Sequence, residues 1–147
     1  MSSIQVAIKR LDPTVELPGY ASPGDAGLDL RANADVVIPP LGRALIPTGL
    51  AIALPEGYAG FVQPRSGMAL KRGLSIANTP GLIDAHYRGE LKIIAVNLDA
   101  EEPIAIARGE RIAQLVIQAV PTVELVEVDE LDETERGTGG FGSSGTA

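Results

Sequence analysis

The chain has 147 residues, of which 45% are hydrophobic and 21% are charged, and its formal net charge is −7. This length is typical of one domain, and the hydrophobic fraction is sufficient for a packed core, which excludes a chain that is disordered throughout. The absence of cysteine excludes disulfides, thiolate metal sites and cysteine nucleophiles, and the single histidine, His86, excludes a metal site built from several histidines.

Apolar residues occur along the chain in short runs that are separated by turn residues. The runs are rich in Val and Ile, and the breaks between them carry most of the 17 glycines and 11 prolines. This pattern is typical of a sandwich or barrel and predicts an all-β fold. The predicted strands are residues 4–8, 36–38, 44–46, 51–54, 61–63, 74–77, 90–98, 104–107, 112–120 and 123–128.

Residues 66–72 are the one segment with a helical pattern. Ser66 is predicted to cap this short helix and Gly73 to end it. Nearer the N-terminus, the segment SPGDAGLDL (22–30) places Asp25 and Asp29 beside glycines. Acids in such a setting usually accept hydrogen bonds from turn amides.

The end of the chain differs in composition from the rest. Residues 123–128 alternate apolar and acidic side chains, which predicts a last strand with one packed face. Seven acids and no base lie between Glu124 and Glu135, and the last 12 residues, RGTGGFGSSGTA, contain five glycines. We therefore predict a domain over residues 1–128, followed by an acidic lead and a flexible glycine-rich arm over residues 129–147.

The glycine-rich arm has two interpretations. It is either a frayed terminus or linker, or an arm that a ligand orders. Arg136 and Phe141 favour the second interpretation, because a guanidinium suits phosphate, a ring can stack, and the surrounding glycines allow close approach of the backbone.

Charge and hydropathy also limit the possible partners. Outside residues 124–135 the 12 remaining acids balance the 12 bases, so arginines are available for an anion site. No dense basic cluster with interleaved aromatics indicates nucleic acid. No signal-peptide pattern begins the chain, and no run approaches the roughly 18 apolar residues of a membrane helix. We expect a cytoplasmic protein that binds neither nucleic acid nor membrane.

Asp84 and Tyr87, in the segment GLIDAHYRGE (81–90), are the strongest candidates for chemistry. An acid on a tight turn can activate a water molecule, and a neighbouring ring can hold a flat or sugar-like ligand. The alternative is an ordinary turn between two strands. His86 receives no role, because a lone histidine beside a turn is usually a solvated surface residue.

Two further segments suit an anion. PRSGMA (64–69) places Arg65, a hydroxyl and a glycine at a helix start, where free backbone N–H groups favour phosphate. RGERIAQL (108–115) could place Arg108, Arg111 and Gln114 where a buried strand begins. The alternatives are a capped helix with a surface arginine and an exposed turn with solvated charges.

Five segments resemble, in order and spacing, the five motifs of the homotrimeric dUTP pyrophosphatases (dUTPases): AGLDL (26–30), PRSGMA, NTPGLIDAHYRGE (78–90), RGERIAQL and RGTGGFGSSG (136–145). Each is weak alone, but five in this order are highly specific and extend over nearly the whole chain. The resemblance implies a β-jelly roll or distorted barrel that assembles into a homotrimer. It also implies that each active site takes motifs one, two and four from one subunit, motif three from a second, and the arm from the third.

The implied reaction is hydrolysis of dUTP to dUMP and pyrophosphate by attack of water on the α-phosphorus. In the family this reaction keeps uracil out of DNA and supplies dUMP for thymidylate synthesis. By resemblance, Asp84 is the base that deprotonates the water, and Tyr87 packs against the deoxyribose and excludes a 2′-hydroxyl. The other implied nucleoside-binding residues are Asn78, Leu82, Ile83, Lys92 and Phe141. The implied phosphate-binding residues are Arg65, Ser66, Gly67, Gln114, Arg136 and Ser143.

Mg²⁺ is the implied cofactor, bound mainly by the triphosphate and without a direct protein ligand, although Asp29 is placed to contact its waters. Two alternatives to a dUTPase remain open. A dCTP deaminase of the same fold needs a catalytic glutamate and no arm, and a non-catalytic jelly-roll assembly protein needs only a plain turn at residues 84–87. For the acidic lead, we hypothesise that its charge keeps the open arm extended until Arg136 meets phosphate.

Overall fold

The computed structural model describes residues 3–146. In this part of the chain there are eleven short β-strands and one seven-residue helix, which confirms the predicted all-β fold. The strands are β1 (Ala7–Arg10), β2 (Leu28–Arg31), β3 (Val36–Ile38), β4 (Arg43–Pro47), β5 (Leu50–Ala53), β6 (Tyr58–Gln63), β7 (Leu74–Ile76), β8 (Gly81–Ile83), β9 (Lys92–Asn97), β10 (Ile104–Ile106) and β11 (Arg111–Ala119). The helix α1 (Ser66–Arg72) lies between β6 and β7 in the chain.

The strands pair in antiparallel fashion in four sheets. The largest has the order β2-β11-β6-β8, the next has the order β4-β9-β7, and β1-β5 and β3-β10 are two-stranded. Over residues 3–146 these sheets do not join into one closed barrel. The predicted jelly roll is therefore an open arrangement of packed sheets.

Alternation along the strands builds one core. On β9, Ile93 and Ala95 are each 1% exposed, whereas Lys92 and Ile94 turn outward. Apolar side chains from all four sheets join a single cluster, for example Leu30, Ile38, Ile46 and Ile52. This shared core holds together two-stranded sheets that are at best marginally stable alone.

Helix α1 ends as the sequence predicts but begins differently. Gly73 has the left-handed φ of 71° that a non-glycine residue rarely adopts, and its N–H donates to Ala69 O at 3.0 Å. The predicted Ser66 cap is wrong, because Arg65 is the N-cap residue and no side chain caps the helix. Ser66 is instead the first helical residue, so its hydroxyl is not used by the helix start.

Two strand predictions near the N-terminus need correction. The first strand occupies Ala7–Arg10 rather than residues 4–8, because its register is set by pairing with β5 rather than by its own apolar residues. The segment around Asp29 forms β2, which the sequence did not predict. Asp25 does accept a hydrogen bond from a turn amide, the N–H of Ser22 at 2.9 Å, but Asp29 is a strand residue.

The predicted last strand over residues 123–128 is wrong for the chain as described. No strand is present there, and Val123, Leu125, Val126 and Val128 are all exposed, Leu125 by 91%. The reason is that a strand needs a partner, and within residues 3–146 no strand edge pairs with this segment. In the same part of the chain, no helix is long and apolar enough to cross a membrane.

Candidate active site

Residues 84–91, called the Asp84 loop below, connect β8 to β9. These strands lie in different sheets, since β8 pairs with β6 whereas β9 pairs with β4 and β7. The segment is therefore a loop between two sheets and not a turn between two strands that pair with each other. It starts with a turn in which the Tyr87 N–H donates to Asp84 O at 3.1 Å, and this turn leaves the Asp84 side chain exposed.

A cavity of about 330 Å³, called the nucleoside cavity below, lies against the Asp84 loop. Its lining contains the predicted catalytic acid, Asp84, and five of the six predicted nucleoside-binding residues. These five are Asn78, Leu82, Ile83, Tyr87 and Lys92. The volume lies at the lower end of the range for small-molecule pockets, roughly 300–1,000 Å³, and is sufficient for a nucleoside.

The β8 wall of the nucleoside cavity offers backbone polar groups. β8 is an edge strand, and an edge strand has N–H and C=O groups on its open side that no neighbouring strand pairs. Gly81 and Ile83 are buried, whereas the apolar Leu82 side chain is 61% exposed. Hydrogen bonds from β8 to a ligand must therefore come from its backbone.

The Tyr87 ring forms another wall and is held in place. Its hydroxyl donates to Glu90 O at 2.7 Å. Glu90 is itself anchored, because its Oε2 accepts the Gly49 N–H at 3.0 Å. The next residue, Leu91, is buried and exchanges backbone hydrogen bonds with the turn between β4 and β5. The ring is therefore fixed to a rigid part of the fold.

A second cavity of about 340 Å³, called the phosphate cavity below, lies where β2, β11 and the start of α1 meet. Its lining contains four of the six predicted phosphate-binding residues: Arg65, Ser66, Gly67 and Gln114. Arg111 also lines it, which agrees with its place among the anion-site candidates of the RGERIAQL segment, although the family resemblance gave it no specific role. Two arginines, a hydroxyl and the free N–H groups of a helix start suit a polyanion.

Asp29 lies in the phosphate cavity between the two arginines. Its Oδ1 is 3.5 Å from Arg65 Nε, and its Oδ2 is 3.3 Å from Arg111 Nη1. Its side chain is only 19% exposed. The two ion pairs orient both guanidinium groups before any ligand binds. Asp29 therefore does not accept hydrogen bonds from turn amides, as the sequence indicated, but holds two arginines in place.

The two cavities have separate linings. β2 and β8 are the opposite edges of their sheet, with β11 and β6 between them. Adjacent strands are about 4.8 Å apart, so these edges are about 14 Å apart. No residue lines both cavities. On one chain the predicted catalytic acid and the predicted phosphate-binding residues therefore line different cavities.

The arm residues Arg136, Phe141 and Ser143 line neither cavity. The arm forms a series of turns, for example with the Ser143 N–H donating to Gly140 O at 3.0 Å and Arg136 Nε donating to Gly139 O at 2.8 Å. Phe141 is fully exposed. Within a single chain, the structure does not bring the arm together with the other predicted site residues.

Two residues of the motifs have contacts outside both cavities. Arg108 donates to Asp12 Oδ2 at 3.3 Å and to Asn33 Oδ1 at 3.1 Å, so it fastens the N-terminal segment to the fold. Asp12 has its pKa lowered to about 2, chiefly by the hydrogen bond from the Thr14 hydroxyl. His86 forms an exposed pair with Glu56, with 3.0 Å between Nε2 and Oε1.

Carboxylates that could hold a metal are few. Residues 3–146 contain no group of three or more His, Cys, Asp or Glu side chains arranged to bind a metal ion. The phosphate cavity has two carboxylates, of which Asp25 accepts the Ser22 N–H and Asp29 faces two arginines. This donor set fits a cation whose remaining ligands are phosphate oxygens and water, and it does not form a cage of protein ligands.

Comparison with known proteins gives consistent matches. The family model described as dUTPase matches residues 14–145. The Streptomyces coelicolor protein named deoxyuridine 5′-triphosphate nucleotidohydrolase is 53% identical to this chain, over 98% of this chain and 79% of that protein.

Solved structures with the same fold include a Staphylococcus bacteriophage 80alpha dUTPase with dUPNHPP. It superposes with a TM-score of 0.90 at 35% identity and covers 98% of this chain and all of that one. A dUTPase variant from phage phi11 of S. aureus, described for its coordination of a structural Mg(II) ion, has a TM-score of 0.80 at 30% identity and covers 86% of this chain and 98% of that one.

Proposed function

The chain belongs to the dUTPase family, and we propose on this basis that it hydrolyses dUTP to dUMP and pyrophosphate. The observation that carries the proposal is the nucleoside cavity, in which Asp84 lies with Tyr87, Asn78 and Lys92 beside the open edge of β8. A nucleoside in this cavity places its 5′ side near an exposed carboxylate that can take a proton from water.

Asp84 is the proposed general base. It deprotonates a water molecule whose oxygen bonds to the α-phosphorus, while the bond from that phosphorus to the bridging oxygen of pyrophosphate breaks. A positioned base of this kind contributes roughly 10²–10⁴-fold to the rate. The turn closed by Tyr87 N–H and Asp84 O keeps the carboxylate at the loop surface, where a water molecule can reach it.

Uracil recognition is proposed to use the backbone of β8. Uracil presents two carbonyl oxygens on either side of an N–H, and the open side of an edge strand presents complementary N–H and C=O groups. Asn78 and Lys92 line the same cavity and can add polar contacts. The Tyr87 ring, held by Glu90 O, is proposed to pack against the deoxyribose where a 2′-hydroxyl would need room.

The phosphate cavity is proposed to bind the triphosphate. Arg65 and Arg111 supply positive charge, and Ser66, Gly67 and Gln114 supply donors around it. Arg136 and Ser143 are proposed to reach the terminal phosphates from the arm, and Phe141 to stack over the uracil. Catalysis of phosphoryl transfer relies mainly on such positioning and charge stabilisation.

Mg²⁺ is the proposed cofactor. When bound with the substrate, it would supply positive charge to the phosphate oxygens and hold the triphosphate in one conformation. The small number of carboxylates in the phosphate cavity supports binding through substrate oxygens, with Asp29 in contact through water. The phi11 relative is described for its coordination of a structural Mg(II) ion, which supports Mg²⁺ as the cation that proteins of this fold bind.

Assembly into a homotrimer with shared active sites is proposed as well. That the two cavities of one chain have no lining residue in common supports it, because a dUTP molecule needs a nucleoside site and a phosphate site that join into one. A second copy can place its nucleoside cavity against the phosphate cavity of the first, and the arm of a third copy can close over both. We propose that this trimer works in the cytoplasm, where nucleotides for DNA synthesis are handled.

The function is tested by following pyrophosphate release with Mg²⁺ present. We expect release from dUTP and little or none from dCTP, TTP or UTP, with Asp84→Asn reducing the rate by about 10²-fold or more. Ammonia release from dCTP would instead identify a deaminase. A folded wild-type protein that produces neither pyrophosphate nor ammonia contradicts both enzymatic functions.

A further inference from the structure

Gly89 lies two residues after Tyr87, and its missing side chain leaves the space that the Tyr87 ring occupies. A β-carbon at residue 89 would lie 2.5 Å from Tyr87 Oη, 2.6 Å from Cζ and 2.9 Å from Cε1. Carbon atoms in contact are normally about 3.5–4.0 Å apart. The ring in its present position and any side chain at residue 89 therefore exclude each other.

The need for glycine at this position comes from the ring and not from the backbone. Gly73 and Gly49 have positive φ values, 71° and 73°, whereas Gly89 does not have a left-handed φ. An alanine at residue 89 is therefore compatible with the local backbone. Its cost lies in the clash with Tyr87, which can be relieved only by moving the loop or the ring.

The loop resists such a movement more than the ring does. On one side, the Leu91 N–H donates to Leu50 O at 2.8 Å and the Thr48 hydroxyl donates to Leu91 O at 2.6 Å. On the other side, the turn from Asp84 is closed by the Tyr87 N–H. The ring is half exposed and is held at its tip by one hydrogen bond to Glu90 O. A shift of about 1 Å is enough to restore normal contacts, and it breaks that bond.

We infer that Gly89 is a specificity-determining residue, which positions the Tyr87 ring so that the ring excludes a 2′-hydroxyl group from the nucleoside cavity. The inference rests on the proposed function, in which the ring packs against the sugar. When the Tyr87 ring moves away from Glu90 O, the part of the nucleoside cavity that it fills becomes available to the 2′-hydroxyl of a ribonucleotide. Asp84 lies at the other end of the turn and keeps its position, so chemistry on dUTP is less affected than discrimination.

The test compares kcat/KM for dUTP and UTP in wild type and Gly89→Ala. We expect the preference for dUTP over UTP to fall about tenfold or more, mainly through better use of UTP, with a smaller change in kcat for dUTP. Gly19→Ala is the matched control, because a β-carbon at residue 19 meets nothing within 4 Å and its backbone is not left-handed. An unchanged preference in folded Gly89→Ala overturns the inference.

A double variant separates an effect through the ring from a general effect on folding. In a Tyr87→Ala background, the added Gly89→Ala change is expected to leave the dUTP preference unaltered, because the clashing ring is absent. If Gly89→Ala alone is poorly folded, the double variant should regain the melting temperature of Tyr87→Ala. A further loss of preference or of melting temperature in the double variant contradicts the inference. Failure of the proposed function is a distinct result, since wild type would then not hydrolyse dUTP.

Discussion

Subunit complementation tests whether one site uses residues from different chains. Asp84→Asn removes the proposed base from the nucleoside cavity, and Arg65→Ala removes a cation from the phosphate cavity. Each variant alone is expected to lose about 10²-fold or more of its activity, because each removes a group that acts in the transition state. The two lesions lie in cavities that have no lining residue in common.

The expected recovery follows from random assortment of the two chains. If a site takes its nucleoside cavity from one subunit and its phosphate cavity from another, each half is intact with a probability of about one half. About a quarter of the sites in an equal mixture are then fully intact, so the mixture should regain about a quarter of wild-type activity. If both cavities of a site come from the same chain, no intact site forms and no activity returns.

The assay measures pyrophosphate release after the two variants are mixed, unfolded and refolded together. A mixture of Arg65→Ala with Gln114→Ala is the matched control, because both residues line the phosphate cavity. Every site then keeps one lesion, and the mixture should show only the mean activity of its two parents. Native mass spectrometry, which resolves the small mass difference between the two variants, shows whether mixed trimers have formed. Mixed trimers that have no more activity than the parent variants refute a site shared between subunits, and so does an active monomer.

Three other perturbations follow from particular contacts. In Gly27→Ala, the new β-carbon would lie 2.5 Å from Gln114 Oε1 and would displace that side chain in the phosphate cavity. We expect a several-fold higher KM for dUTP with little change in the discrimination against UTP. An unchanged KM contradicts a phosphate-binding role for Gln114. In the folded protein the pKa of Asp12 is about 2, below its ordinary value of 3.8. The charged carboxylate therefore stabilises the folded state fully above about pH 4, and this contribution is lost as the pH falls towards 2. In Asp12→Asn, the free energy of unfolding measured with urea should therefore depend less on pH between about 2 and 4. If it changes with pH as steeply as in wild type, Asp12 is not the cause of the acid destabilisation. Ile38→Ala should lower the free energy of unfolding by about 2–5 kcal/mol, whereas its neighbour Val37, 66% exposed, should tolerate alanine within about 0.5 kcal/mol; equal losses would mean that Val37 is buried in solution.

Local patterns predicted the parts of the fold that depend on local physics. Runs of Val and Ile between turn residues predicted an all-β chain, and Gly73 marked the end of α1 because the left-handed φ there suits glycine. Pairing partners were not readable in this way. β2 was missed because the Asp29 side chain suggested a turn, and its strand character comes from antiparallel pairing with β11, which lies far away in sequence.

In the candidate site, too, some features follow from local sequence and others depend on contacts between distant segments. Order and spacing of the motifs selected thirteen site residues, of which the structure gathers ten into two cavities and leaves the three arm residues outside them. Spacing does not show which other residues hold the ten in place. Arg111 was only one of several anion-site candidates, because its pairing with Asp29 appears only when β2 and β11 meet. Gly89 was passed over because its importance depends on the direction of the Tyr87 ring, which one rotamer choice decides.

A contact between subunits would explain two observations: the predicted strand at residues 123–128 is absent, and the predicted site residues line two different cavities. Residues 123–128 combine four apolar residues with two acids, which predicts a packed strand, yet Val123, Leu125, Val126 and Val128 are exposed on the single chain. Four such side chains left in water forgo a stabilisation of about 1.5–3 kcal/mol each on full burial. A neighbouring subunit that covers them would recover this free energy, direct the chain from residue 128 towards another copy, and place Arg136 and Phe141 where a second chain's cavities lie. On the proposed assembly, the sequence pattern at residues 123–128 would reflect contacts between subunits, which a single chain cannot make with itself.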